Sequence, residues 1–418
     1  KGKQLLASGV GQTSRVDVTK NKGSQRRKIM KVALIASDNN ASSGAFLSMT
    51  NLAIQLNQLH VETIVIIPKE GPYVGPGDGV NLLRKHKIKY YVVPSISGVV
   101  PCDFPRNILA TLGQIKYILR NKIYARGLAG ILKKEHVDLV HINTVYSYFG
   151  AYAARKVNIP YVWHIREFLE EDQGNEFYFP KYMYKLMNRA DLVIAISRSI
   201  YKKYSKSLHK NVMKVIYNGI DIDQFYKPER QIFEDSILKL CYVGGLSELK
   251  GTDDLIEACR LLNQEGYQDA YRLMIAGRGG EEYEEALREK LKANHIENVE
   301  LLGFRSDVPD VMAQADVSVV TSRCEAFGRV TVEAMLTGNL VLGADSAGTK
   351  ELLKDGKFGV LYQCGNPESI KQQMLYILNH KEELRETAKT ARDFMAEHMT
   401  AKKNAENIYR EYQRILGE

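Results

Sequence analysis

Two carboxylates and the glycine turn between them are the residues of this sequence whose types and spacing could do chemistry. Glu325 and Glu333 stand eight positions apart in Ser322-Arg-Cys-Glu325-Ala-Phe-Gly-Arg-Val-Thr-Val-Glu333, directly after the apolar run Asp316-Val-Ser-Val-Val320. That order reads as strand, loop and helix. Gly328 lets the backbone turn closely beneath a ligand, and the amides of Phe327, Gly328, Arg329 and Val330 are the unpaired donors of a helix N-terminus, where a diphosphate sits well. Carboxylates repel phosphate but accept hydrogen bonds from sugar hydroxyls. Spacing alone leaves a second reading open, in which the two glutamates only complement the helix dipole.

Positioning such residues requires strands that end at a common cleft. From Met30 onward, short β-branched runs alternate with longer segments of helical period, the pattern of α/β units on a parallel sheet. Strands are expected at 31–36, 61–67, 89–93, 138–142, 160–164, 191–196 and 213–216. A second series is expected at 238–243, 271–276, 299–302, 316–320, 339–343 and 358–361. The sequence therefore predicts two doubly wound, Rossmann-like domains, at 30–216 and 238–399. The turn-rich segment 217–237 links them, and a helix over 400–418 returns to the first domain. Carboxyl ends of both sheets would then border one cleft, the usual place for a ligand.

The chain has 418 residues, 44 % hydrophobic and 26 % charged, which excludes collagen-like, coiled-coil and disordered classes. Its net charge of +9 divides unevenly: +7 over residues 1–29, +12 over 30–216 and −10 over 217–418. Residues 1–29 lack hydrophobic periodicity and are expected to be a disordered or added basic tail. Five scattered cysteines without a Cys-x-x-Cys pair indicate neither a disulfide framework nor a zinc cluster and point to the cytoplasm. No run is long and apolar enough to span a bilayer.

The Glu325-to-Glu333 stretch resembles the Glu-x7-Glu motif of retaining family-4 glycosyltransferases. The continuation Gly338-Asn-Leu-Val341, Ala347-Gly348-Thr-Lys-Glu351 and Asp355-Gly-Lys-Phe-Gly-Val360 is similar to the segment C-terminal to that motif in the family. So are Val243-Gly-Gly-Leu-Ser-Glu-Leu-Lys250-Gly251, the turn Ile275-Ala-Gly277-Arg278-Gly279 and the linker Tyr217-Asn-Gly-Ile-Asp221 to their counterparts. The resemblance covers the chain from Met30 to its end and implies the GT-B architecture. It also implies a sugar moved from a nucleotide-sugar, UDP-linked ahead of GDP-linked, to an acceptor hydroxyl on a glycan, lipid-linked as in bacterial surface polysaccharide synthesis.

By that resemblance Glu325 holds the donor sugar, Glu333 the ribose, and Lys250 the diphosphate, with backbone help from residues 327–330. Ser42-Ser43-Gly44-Ala45 resembles the family's glycine-rich turn, although a single Gly before a helix is more often a packing or capping choice. His164, ending Val162-Trp163, matches the family's histidine facing the transferred sugar. His141 and Asn143 share its rim, and Arg166 and Glu167 are acceptor-side candidates. Where the family commonly carries an arginine beside the lysine, this chain has Gly245; Arg329 and Arg278 are the candidate replacements, Arg329 favoured. A catalytically lapsed partner subunit is the rival reading, motivated only by Gly245.

Two apparent motifs are set aside. Asp221-Ile-Asp223 lies in the linker, and no metal is expected if Lys250, an arginine and a helix N-terminus neutralise the diphosphate. The glycines at 277, 279 and 280 lack the spacing of a dinucleotide fingerprint. In the basic first half, Arg106, Lys116, Arg120, Lys122, Arg126, Lys133 and Lys134 interleave with Ile, Leu and Tyr. They suggest an amphipathic basic helix, either a solvated face or a contact with an anionic membrane at the inner surface; no nucleic-acid module is present.

Overall fold

The computed structural model describes residues 29–41, 43–69 and 78–418. Expectations for the tail (except Ile29) and for Ser42 lie outside the described residues.

Among the described residues nine strands precede the linker: β1 Lys31–Ile35, β2 Glu62–Ile67, β3 Lys89–Val92, β4 Val99–Pro101, β5 Leu139–Ile142, β6 Tyr161–Ile165, β7 Asn175–Phe177, β8 Leu192–Ala195 and β9 Met213–Val215. Seven of them form one parallel sheet in the order β3-β2-β1-β5-β6-β8-β9. Six more, β10 Leu238–Val243, β11 Tyr271–Ala276, β12 Val299–Gly303, β13 Val317–Val320, β14 Leu340–Ala344 and β15 Val360–Tyr362, form a second parallel sheet in the order β12-β11-β10-β13-β14-β15. Helices cover both faces, so the central strands are nearly unbroken apolar runs: Val32 to Ile35 and Leu340 to Leu342 are fully buried. Strand order reverses between β1 and β5 in the first sheet and between β10 and β13 in the second. At each reversal the strand ends diverge and open a crevice.

The remaining pair, β4 and β7, is antiparallel and was not anticipated. Each has three residues, too few for a period to show in sequence. It ties the loop after β3 to the segment before the Pro180–Met187 helix.

The chain crosses between domains twice, and the crossings touch. Ile220 N donates to Met399 O and Ala401 N to Ile220 O, each at 2.9 Å. Beyond the second crossing, the Ala401–Leu416 helix buries Ala405, Ile408 and Tyr412 among Val32, Phe46 and Met49 of the first domain. Gly219 allows the crossings to meet: a Cβ there would lie 2.3 Å from Thr400 O and 2.5 Å from Ala401 Cα. Both obstacles are backbone, so Gly219→Ala is expected to cost about 1–3 kcal/mol of stability, read as an earlier denaturant midpoint.

Candidate active site

A cleft of about 450 Å3 lies between the carboxyl ends of the two sheets. Its second-domain wall starts at β13, whose chain turns through Thr321 to Gly328 into the Arg329–Leu336 helix. Gly328 sits at φ 88°, and no side chain caps the helix. The first-turn residues Gly328, Arg329 and Val330 line the cleft, so their amides remain available to an anion. The loop is braced from behind: Gly348 N donates to Glu325 O at 2.8 Å, and a Cβ on Gly348 would lie 2.7 Å from both Glu325 O and Phe327 O. This contact explains the Ala347-Gly348-Thr segment.

Lys250 ends a short turn after Gly244-Gly245, held by Thr321, whose hydroxyl donates to Lys250 O at 2.7 Å. Its Nζ donates to Glu325 Oε1 at 2.9 Å and, across the domain boundary, to Asp172 Oδ1 at 3.1 Å. Burial works against the charge on Lys250, yet Glu325 and Asp172 outweigh it and hold its pKa above the ordinary value. The same burial raises Asp172 in spite of the ammonium beside it.

On the first-domain wall, Asp38 at the end of β1 accepts from Asn40 N at 3.0 Å and from the hydroxyls of Ser37 and Ser43 at 3.1 and 3.3 Å. Burial raises its pKa. Ser43 also caps the Gly44–Gln58 helix through Phe46 N. Arg166, buried but for an edge on the cleft, spans to the linker. Its Nε donates to Asn143 Oδ1 at 2.9 Å, an Nη to Asn218 Oδ1, and Nη2 to His164 Nδ1 at 3.2 Å. Burial lowers its pKa to about 10, so it remains a cation near neutrality.

The histidines behind Arg166 have assignable protons. Arginine cannot accept, so His164 Nδ1 must be the acceptor. His141 Nε2, 3.1 Å away, therefore donates to that atom, and His141 Nδ1 accepts from the Tyr412 hydroxyl at 2.6 Å. Burial, and then Arg166, pushes His141 down to about 3 and His164 well below its ordinary value, so both rings are neutral. The proton of His164 then sits on Nε2, a buried atom without a hydrogen-bond partner among the described residues. The chain from Tyr412 through His141 thus delivers a neutral N–H donor.

Glu167 also borders the cleft, accepting from Arg166 N at 3.1 Å. Burial raises its pKa to about 7, against the opposing pull of the Arg166 amide and guanidinium. In the unfolded chain the ordinary value is 4.5, so the protonated form stabilises the fold fully below that pH, and the contribution is lost as pH rises through about 7. Glu167→Gln should gain stability relative to the parent by up to about 3 kcal/mol between about pH 5 and pH 8; parallel melts across that window measure it.

Of the residues expected from sequence, Gly44, Arg166, Glu167, Gly245, Lys250, Glu325, Phe327, Gly328, Arg329 and Val330 line this cleft. His141, Asn143 and His164 lie behind Arg166. Glu333 is buried beneath the helix start and accepts from Arg329 Nη2 at 2.7 Å, while Arg329 Nη1 reaches Ser48 Oγ of the first domain at 3.3 Å. Gly277 and Arg278 stand outside the lining, with the Arg278 guanidinium 5.9 Å from the Phe304 ring centroid. A Cβ on Gly277 would lie 1.9 Å from Gly244 O, so that glycine packs the β10 and β11 loops together. Asp38, Asp172, Asn218 and Tyr412 were missed. Asp38 was findable, because it follows a strand carboxyl end; Tyr412 carried no local signal.

Two family profiles match this sequence: one described as Glycosyltransferase Family 4 over residues 42–224, the other as Glycosyl transferases group 1 over residues 224–394. An uncharacterized glycosyltransferase of Methanocaldococcus jannaschii is 28% identical over 264 residues, covering 62% of this chain and 70% of that protein. The N-acetyl-alpha-D-glucosaminyl L-malate synthase of Bacillus anthracis is 25% identical over 237 residues, covering 55% of this chain and 60% of that enzyme. A putative colanic acid biosynthesis glycosyltransferase of Salmonella typhimurium is 27% identical over 207 residues, covering 47% of this chain and 50% of that protein. Among solved structures, Anabaena HepE in complex with UDP superimposes with a TM-score of 0.75 at 23% identity, over 92% of this chain and 100% of that one. The two profiles meet at the linker and together run from residue 42 to residue 394, and the chain is a GT-B glycosyltransferase of the group 1 and family 4 type.

Proposed function

We propose that this enzyme transfers a sugar, with retention, from a nucleoside diphosphate sugar to a hydroxyl of a glycan acceptor, and that it does so without a metal. The observation that carries this reading is the placement of Lys250 and Glu325 beside an uncapped helix N-terminus, where two sheets reverse their strand order. The amides of residues 328–330 take the diphosphate, and Lys250 exchanges a carboxylate for a phosphate oxygen. Glu325 then turns to the sugar hydroxyls. The C1–O bond to phosphate breaks as the acceptor oxygen bonds C1 on the same face, and the acceptor proton passes to the departing phosphate oxygen. The protein holds the reactants in line and stabilises charge on the leaving group. His164, buried behind Arg166, donates from Nε2 to the transferred sugar once the Arg166 guanidinium moves aside.

UDP is the favoured nucleotide, in keeping with HepE, whose structures hold UDP and UDP-glucose. Surface polysaccharide is the favoured product class, in keeping with the colanic acid relative, and the work is done on the cytoplasmic side. Purified protein with a panel of UDP-, GDP- and ADP-sugars tests this: a UDP-sugar should raise the melting temperature and release UDP when acceptor is present. Stabilisation without any release would favour the lapsed subunit instead.

Of the two proposed replacements for the missing arginine, only Arg329 lines the cleft. Room for the lost side chain persists, since a Cβ on Gly245 would have Arg278 O, at 4.0 Å, as its nearest neighbour. Arg329→Ala is expected to weaken UDP binding about tenfold, and Gly245→Arg to restore much of it in the same background. Titration of UDP against the single and double variants measures both.

A further inference from the structure

The Ile108–Lys134 helix has two apolar sides, and only one is used. Asn107 caps its start through Ala110 N. One stripe, Gln114, Asn121, Ala125, Leu128 and Leu132, is buried against the first domain. Asn121 is held there by pairing both amide atoms with the backbone of Ile96, at 2.9 and 2.6 Å. The opposite side of the first four turns should be polar in a solvated helix. It is not: Ile108 is 79% exposed, Leu109 80%, Leu112 57%, Leu119 54% and Ile123 58%. Spacings of three and four place these side chains together on the outward face. The interleaving of cations with Ile and Leu read from sequence is thus an outward face that is apolar, with cations interspersed and flanking.

Those cations are Lys116, Arg120, Lys122 and Arg126, and residues 104–134 contain no Asp or Glu. Among the described residues, Lys116, Lys122 and Arg126 make no ion pair; Arg120 reaches only the Tyr124 hydroxyl, at 3.1 Å. Aliphatic side chains projecting between unpaired cations suit a surface of anionic headgroups over hydrocarbon. They do not suit a second copy of the chain, because a two-fold contact would set these cations against the same cations.

We propose that residues 108–123 of this helix lie in the interface of an anionic lipid bilayer, with the leucines and isoleucines below the headgroups and the lysines and arginines among the phosphates. The helix, at 27 residues, is long enough but too rich in cations to cross, and among the described residues no helix is both long and apolar enough to cross a membrane. Its start is tied to the segment that follows one edge of the cleft. Arg106, just before the cap, ion-pairs with Glu176 of β7, donates to Tyr178 O at 2.6 Å and stacks on the Tyr178 ring at 4.4 Å. The β7 strand directly follows Asp172 and Gln173, which line the cleft. Docking would therefore hold the acceptor-side mouth at the bilayer surface, where a lipid-linked glycan presents its hydroxyl. The purpose rests on the proposed lipid-linked acceptor, whereas the binding itself does not require transfer.

Vesicle flotation with the full chain tests this, using mixed phosphatidylglycerol and phosphatidylcholine against phosphatidylcholine alone. The parent should float with the anionic vesicles, less so as salt rises, and hardly at all with the neutral ones. The triple variant Leu112→Gln, Leu119→Gln, Ile123→Gln should lose about tenfold in bound fraction while keeping UDP-sugar turnover on a soluble acceptor, which shows that it folds. Separately, Lys116→Gln with Lys122→Gln should reduce anionic binding and flatten its salt dependence. No flotation of the parent with anionic vesicles would overturn the proposal, as would equal flotation of the triple variant. So would a dimer in light scattering that the triple variant dissolves, because the face would then belong to a second copy. Failure of flotation with turnover intact leaves the catalytic reading standing, and flotation without turnover leaves the docking reading standing.

Discussion

Lys250→Ala should lower kcat/KM for transfer by about 10²–10³-fold, the loss seen when one fixed donor to a developing anion is removed. Lys250 is well placed for an effect of that size. It is partly enclosed, and its ammonium is kept charged by Glu325 and Asp172. Its position is also set by backbone, because a Cβ on the adjacent Gly251, at φ 68°, would lie 2.4 Å from Thr321 O. Turnover should fall more than donor affinity, since charge on the phosphate oxygen grows as the C1–O bond breaks. Lys250→Arg should recover part of the rate, as it keeps the charge but not the point geometry. Steady-state kinetics with UDP-sugar, beside a UDP titration, separate the two effects. If Lys250→Ala retained parental turnover, the diphosphate would have to sit elsewhere.

His164→Ala is expected to cost about 10²-fold in kcat, and the more informative variant is Tyr412→Phe. Removing one hydroxyl in the Ala401–Leu416 helix leaves His141 Nδ1 without its donor at 2.6 Å. The His141 ring can then take its proton on Nδ1 and cease donating to His164. The ring of His164 stays in place and its tautomer stays fixed by Arg166 Nη2 at 3.2 Å, but Nδ1 loses one of its two donors and the ring is polarised less. An intermediate loss in kcat of about tenfold is expected, with KM for the donor little changed; a purely packing role for Tyr412 would move stability and leave that split untouched. Because both rings are neutral when folded, while an unfolded histidine titrates near 6.5, they contribute stability above that value that is lost as pH falls below it. They should add no step near pH 6.5 to the kcat profile, and a profile governed by such a step would contradict the assignment.

Much of this molecule was legible before folding was considered. Thirteen of the fifteen strands among the described residues were expected, because parallel strands buried on both faces write themselves as apolar runs bounded by turn formers. The two that escaped, β4 and β7, pair across a large sequence separation and are too short to carry a period. Lys250, Glu325 and Gly328 were legible for a related reason: a ligand seat built from one loop and one helix start uses neighbours in sequence, so its spacing survives in the chain.

What sequence could not decide is what each side chain faces. Glu333 and Arg329 are neighbours on one helix turn, yet only folding shows them paired, with Arg329 also reaching Ser48 of the other domain. Arg278 had the right charge in a glycine turn, and packing turned it toward Phe304. Asp172 and Lys250 lie 78 positions apart, and Tyr412 and His141 lie 271 apart; no periodicity connects residues that meet only when two domains close or a last helix returns. The +12 and −10 of the two halves marked a division of charge, but not which cations stand unpaired beside exposed leucines. Residue type and spacing along the chain determined the fold class and the glycine turn that lines the cleft. Tertiary structure determined protonation, pairing and exposure, because these depend on burial and on long-range neighbours that local sequence does not encode.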